Sequence, residues 1–225
     1  MMDQPDLDVR RHVHALDALG RANIISLTAA AIWPAIRAAS QNGVPKPLRV
    51  LDIASGGGHV LVSLARRARR ERVEIDFLGW DLSPVANEYA RTLAARAGVK
   101  QVRFELADAL RAPAPAGIDV TLCTLFLHHL AETDAEALLR RMREIAQRAV
   151  VVTDLRRTGL GALFTWVGCR VLSRSEVFRV DGMRSVAAAF TIDEARALAE
   201  RAGLAGARIS RIWPQRWLLT WTPSS

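Results

Sequence analysis

Four acids, a run of glycines and a pair of histidines are the residues whose types and spacing could do chemistry in this chain. Asp52 precedes Gly56, Gly57 and Gly58 in LDIASGGGHV, Asp81 closes LGWD, Asp108 lies in FELADAL, His128 and His129 stand in CTLFLHHL, and Asp154 ends RAVVVTD. A glycine loop after a strand lets a ligand approach the backbone and the start of the next helix, because no side chain intervenes. An acid such as Asp81 can accept hydrogen bonds from both hydroxyls of a ribose, which suits several nucleoside cofactors. Asp108 can accept from an exocyclic adenine amine. A histidine can take the proton of an attacking hydroxyl while an acid orients the ring and stabilises the imidazolium. Either histidine, taken singly, could instead pack or cap the next helix.

These residues need elements to hold them. LRVLDIA is a short apolar run of the kind found in a central parallel strand buried on both faces. Strand-like segments recur at residues 48–53, 73–80, 101–106, 118–123 and 148–154, with helical stretches at about 58–70, 84–97 and 133–147 between them. Such alternation implies α/β architecture with helices on both sheet faces, doubly wound because crossovers are right-handed. Each of the acids and histidines then falls at the carboxyl end of a strand, where ligands bind in such sheets.

The flanks read differently. Residues 8–40 suggest two helices broken around residues 20–23, and Pro34 is expected to break the apolar window IISLTAAAIWPAI. After Asp154 comes a segment too long for an ordinary connection, expected to sit over the carboxyl edge of the sheet. Within it, FRVDGMRS reads as a polar turn with a local Asp181–Arg184 ion pair, or as part of a substrate pocket. TIDEARALAERAG is a capped helix with Thr191 as N-cap, Glu194 completing a capping box and Gly203 as stop. ARISRIW and RWLLTW look like a closing hairpin turning at Pro214.

Composition narrows the class. The chain has 225 residues, half of them hydrophobic, enough for one domain with a full core. The expected organisation is an N-terminal helical cap (1–45), a cofactor-binding core (46–154), a lid insertion (155–190) and a closing helix with a strand hairpin (191–225). Cys123 and Cys169 form no metal or disulfide pattern, and His12 and His14 have no acid or cysteine at ligand spacing, so no metal is expected. A cytoplasmic setting follows as the expectation, with no secretory signal and no apolar stretch of membrane-spanning length. The formal charge of +8 comes almost wholly from arginines spread through helices among Glu and Ala, which reads as solvated faces and makes nucleic acid an unlikely partner.

In Asp52, Gly56, Gly58, Asp81, Asp108 and CTLFLHHL, taken in order, the chain resembles the class I S-adenosylmethionine-dependent methyltransferases, and the likeness covers most of residues 48–154. It implies a Rossmann-like, seven-stranded, mostly parallel sheet and S-adenosyl-L-methionine as cofactor, held by Asp52, Ala54, Gly56, Gly58, Asp81, Leu82, Asp108, Ala109 and Thr124. Position 61 is leucine where a dinucleotide-binding GxGxxG needs its third glycine. The chain also departs from many relatives in lacking a glycine turn before the fifth strand.

The resemblance makes His128, His129 and Asp154 the expected catalytic residues, with His128 preferred. The reading is O-methylation of a phenol or other hydroxyl on a small, largely apolar acceptor, such as a polyketide or quinone precursor. Asn23, Trp166 and Arg184 are expected against that acceptor, under a roof that Trp33 and Phe164 help to pack, in a monomer or homodimer. Carbon and nitrogen acceptors stay open. So do an RNA methyltransferase and, in another class, a nicotinamide oxidoreductase or a nucleoside-binding domain without catalysis.

Overall fold

The computed structural model describes residues 16–17, 27–41, 47–163, 165 and 176–223. Seven strands form one sheet: β1 (Leu48–Ile53), β2 (Ile75–Asp81), β3 (Val102–Leu106), β4 (Val120–Thr124), β5 (Ala149–Leu155), β6 (Arg208–Ile212) and β7 (Arg216–Trp221). Their order is β3-β2-β1-β4-β5-β7-β6. The first five are parallel; β7 runs antiparallel to both β5 and β6. The order reverses between β1 and β4, which opens a crevice at their carboxyl ends.

Alternation along the strands divides the core into two layers. Val50, Phe77 and Val120 face one side, with α1 (Thr28–Ser40), α2 (His59–Glu71) and α3 (Pro84–Ala97). Leu51, Ile53 and Val152 face the other, with α4 (Glu132–Ile145) and α6 (Ile192–Arg201). The expected strands, and the helices expected at 58–70, 84–97, 133–147 and after Thr191, are present, with their ends displaced by a residue or two. β2 starts at Ile75 rather than residue 73, because the Val73 N–H donates to Ala68 O at 2.9 Å and is spent closing α2.

Two local expectations are corrected. Pro34 lies inside α1 and does not break it. A helix-interior proline costs about 3 kcal/mol. Ile32, Trp33 and Ile36 on the same helix are buried in the core, at about 1.5–3 kcal/mol for each aliphatic side chain, and together they outweigh it. FRVDGMRS is not a turn. It belongs to α5 (Glu176–Ala188), which lies against the 3-10 turn Leu127–His129, and tertiary contact overrides the local glycine signal.

The missing glycine turn before β5 is replaced by a buried acid. Asp119 accepts the Arg49 N–H at 2.9 Å on Oδ2 and the Arg148 guanidinium at 3.2 Å on Oδ1, while its carbonyl takes the Arg148 and Ala149 N–H groups. The amino ends of β1, β4 and β5 are thereby tied together.

Thr191 caps α6 with the full capping box, and Gly203 follows that helix at φ 80°. Asn23, Phe164, Trp166, Cys169, His12 and His14 lie outside the described residues, as do the break expected at 20–23 and most of the apolar run 160–172. No helix among the described residues is long and apolar enough to cross a membrane.

Candidate active site

Asp52 and Asp81 end neighbouring strands, and the loop between β1 and α2 lies over them. The Gly56 N–H donates to Asp81 Oδ2 and the Ser83 N–H to Asp81 Oδ1, both at 2.8 Å. Asp81 therefore holds the glycine loop and the start of α3 in one arrangement. The loop is built on left-handed residues: Ala54 has φ 55°, Gly56 53° and Gly58 73°. A Cβ at Gly58 would lie 2.6 Å from the Phe104 ring, whereas one at Gly56 would meet nothing within 4 Å. Gly58 is a packing requirement; Gly56 borders open space. Leu61, where a dinucleotide loop carries glycine, is fully buried.

Asp52 is buried, and its Oδ1 has no hydrogen-bond partner. Burial, and then the charge of Asp81, push its carboxyl well above the usual carboxylate range. A dry acid with an unsatisfied oxygen is suited to receive a cationic group and is hostile to a pyrophosphate. S-adenosylmethionine carries an ammonium and a sulfonium and no phosphate, so these residues fit it.

The remaining cofactor candidates line the same edge. Asp108 Oδ1 accepts the Leu110 N–H at 2.9 Å, and Oδ2 lies 3.7 Å from the Arg111 guanidinium. Leu82 is exposed; Ala109 and Thr124 are half-buried, Thr124 pairing with Thr153 across β4 and β5.

Beyond β4 the chain turns through Leu125, at φ 56°, into the 3-10 turn that carries both histidines. His128 is buried, and its Nδ1 lies 2.6 Å from Asp154 Oδ1. Its backbone N–H donates to Asp154 Oδ2 at 3.1 Å. Asp154 thus accepts from both the ring and the backbone of His128, a pairing that leaves Nε2 as the imidazole's available base. His129 is exposed, its ring centroid 4.2 Å from that of His128. Arg184 is exposed on α5.

Sequence reasoning missed two groups at this edge. Tyr89 donates to Asp17 and lies 3.3 Å from His59 Nε2, with His59 and Tyr89 both beside Gly57, so Asp17 is tied to the side chains next to the glycine loop. Arg216, at the start of β7, is buried and donates to Thr28 Oγ1 at 2.6 Å. Burial brings its guanidinium down to about 10, with Asp154 acting in the opposite direction. No group of three or more potential metal ligands occurs among the described residues.

Residues 50–148 match the family model described as a methyltransferase domain. Over that stretch the chain is similar to this family, and the sheet around it has the Rossmann-like fold seen in S-adenosylmethionine-dependent methyltransferases. The demethylmenaquinone methyltransferase of Deinococcus radiodurans is 36% identical over 98 residues, 42% of this chain and 38% of that protein. The chain therefore spans well under half the length of that relative.

Three solved structures share the fold. The plantazolicin methyltransferase in complex with S-adenosylhomocysteine superposes with a TM-score of 0.71 at 15% identity, covering 98% of this chain and 90% of that one. Magnesium protoporphyrin IX methyltransferase from Synechocystis, bound to S-adenosylmethionine, gives 0.61 at 15% identity, covering 98% and 100%. An O-methyltransferase family protein from Burkholderia thailandensis gives 0.64 at 20% identity, covering 96% and 63%.

Proposed function

We infer that the protein transfers a methyl group from S-adenosylmethionine to a hydroxyl of a small, largely apolar acceptor, with His128 as general base. The observation that carries this reading is the buried His128–Asp154 pair, 2.6 Å apart, at the strand ends next to the Asp52–Gly56–Asp81 loop. When bound, the cofactor supplies an electrophilic methyl on a sulfonium. Asp52 meets its positive charge, Asp81 and Asp108 hold the nucleoside, and Ala54, Gly56, Gly58, Leu82, Ala109 and Thr124 give the backbone and apolar surface around it.

A neutral phenol, with a pKa near ~10, is a weak nucleophile until its proton leaves. His128 Nε2 takes that proton as the oxygen attacks, and Asp154 keeps the ring in the matching tautomer while stabilising the imidazolium. His129, exposed and with its ring tilted against that of His128, borders the acceptor's path. Asn23, Trp166 and Arg184 are the residues assigned to acceptor binding, and of these Arg184 alone lies among the described residues, exposed on α5.

The rim supports an apolar acceptor. Leu27, Leu82, Leu106, Leu160, Leu163, Met183 and Trp213 are the exposed large hydrophobics among the described residues. They sit at the start of α1, after β2, β3 and β5, on α5 and at the β6–β7 turn, around the carboxyl edge. Several helix arginines are held in ion pairs, Arg67–Glu71 and Arg140–Glu136 within a helix and Arg201–Glu132 between α6 and α4.

The test is release of S-adenosylhomocysteine from S-adenosylmethionine with a panel of phenols, their methyl ethers and the corresponding anilines. Turnover is expected with the phenols and absent with the ethers. Turnover confined to the anilines would overturn the oxygen assignment.

A further inference from the structure

Arg216 pairs across the ladder with Leu155, so it stands at the same carboxyl edge as His128 and Asp154. The three come from the adjoining ends of β7, β4 and β5. Its side chain points to the sheet face covered by α1, where it reaches Thr28.

The burial of this cation lacks a partner of opposite charge. Arg216 is 5% exposed, yet it forms no ion pair with any described acid, and its Nε has no hydrogen-bond partner. A guanidinium has five N–H donors in a rigid fork, and Thr28 Oγ1 accepts from one of its nitrogens. Asp154 acts on this charge through space but makes no hydrogen bond to it: its Oδ1 takes His128 Nδ1 and the Leu155 N–H and its Oδ2 takes the His128 N–H.

A second source of positive potential adds to the first. Thr28 opens α1, whose N-cap is Leu27, a residue with no oxygen in its side chain, and the first turn contains no acid. The positive end of a thirteen-residue helix is thus directed toward a buried arginine. Both favour an anion between them, and nothing described on the protein supplies one.

We propose that Arg216, with Thr28 and the positive end of α1 beside it, binds a carboxylate carried by the methyl acceptor at a distance from the hydroxyl that His128 serves. Two coplanar oxygens match the guanidinium fork. A single negative charge is also tolerated close to Asp154, whereas a phosphate dianion would be repelled by it. The acceptor class is then a hydroxy acid whose apolar body lies along the leucine-lined rim, its hydroxyl at His128 and its carboxylate at Arg216. This deepens the functional reading above and rests on its acceptor site.

The test uses the full chain saturated with S-adenosylhomocysteine and the probes benzoate and benzamide, which share a shape and differ in charge. Binding is read by calorimetry and by the rise in Tm with probe concentration. Benzoate is expected to bind at least about tenfold more tightly than benzamide, as a charge-assisted contact to arginine should. Arg216→Met is expected to abolish that preference while keeping the affinity for S-adenosylhomocysteine. Thr28→Val, which retains the side-chain shape, is expected to reduce the preference and serves if Arg216→Met does not fold.

Equal behaviour of the two probes, including no response to either, overturns the proposal. So does an undiminished benzoate preference in the variants, or a stronger Arg216-dependent preference for 4-nitrophenolate, which would place the reacting oxygen at the guanidinium. None of these readouts needs turnover. Loss of methyl transfer in His128→Ala without any benzoate preference would reject the carboxylate site alone, and the converse would reject the base alone.

Discussion

Asp52 and Asp81 end adjacent strands, yet their carboxylates live in opposite conditions. Asp81 accepts two backbone N–H groups at 2.8 Å, whereas Asp52 is buried with Oδ1 unsatisfied. The raised carboxyl of Asp52 makes the folded state bind more protons than the unfolded chain above the usual carboxylate range. Stability from this group is therefore greatest in acid and declines as pH rises from the unfolded value to the folded one. Asp52→Asn removes that decline. The variant is expected to have a higher Tm than the parent at neutral pH without ligand, a flatter Tm-against-pH curve, and weaker binding of S-adenosylmethionine, measured by thermal scans and calorimetry.

Cofactor affinity should also depend on pH in the parent. A bound cation favours ionised Asp52, so binding of S-adenosylmethionine releases a proton and tightens as pH rises toward the folded carboxyl's value. Calorimetry in buffers of different ionisation enthalpy would detect this release, and Asp52→Asn should abolish it.

Asp81→Ala removes the acceptor of both the Gly56 and Ser83 N–H groups. Hydrogen bonds to a charged group contribute about 1.5–3 kcal/mol, so affinity for S-adenosylhomocysteine should fall by roughly tenfold or more. An unchanged Kd would remove Asp81 from the cofactor site.

The His128–Asp154 pair should separate chemistry from binding. His128→Ala and Asp154→Asn are each expected to lower kcat at least about tenfold with little change in Kd for S-adenosylhomocysteine. His129→Ala should act mainly on KM, because that ring is exposed whereas the His128 ring is the one held by Asp154. Equal losses in kcat for both histidines would contradict a single base.

The two left-handed glycines of the loop should respond differently to the same methyl. Gly58→Ala places Cβ 2.6 Å from the Phe104 ring at φ 73°, so the backbone cost of about 1–2 kcal/mol is compounded by a clash. Gly56→Ala has the backbone cost alone, with open space around it. Thermal denaturation should show the larger loss for Gly58→Ala.

Much of this architecture is legible in the sequence because it depends on local pattern. The run LRVLDI reads as a buried strand from its apolar residues, and the structure places β1 at Leu48–Ile53. Thr191 and Glu194 announce a capping box that is present in full. What escaped depends on partners far along the chain. Nothing separates Arg216 from the other arginines until the antiparallel register sets it opposite Leu155 and α1 brings Thr28 to it from 188 positions away. The helix through Pro34 was hidden for the same reason, since the sheet beneath Ile32, Trp33 and Ile36 outweighs the local signal. The choice of histidine was also tertiary: His128 and His129 differ in burial and in contact with Asp154, a residue on another strand.

Asp119 has a consequence for how this protein can change over evolutionary time. It anchors the amino ends of three strands with one carboxylate and one carbonyl, at the opposite end of the sheet from Asp52, Asp81, His128 and Asp154. This anchor thus lies at the floor of the sheet, away from its carboxyl edge. Substitutions on α5, the β6–β7 turn or the start of α1 are then expected to leave that anchor and the scaffold it holds intact, so function can diverge there on a constant fold.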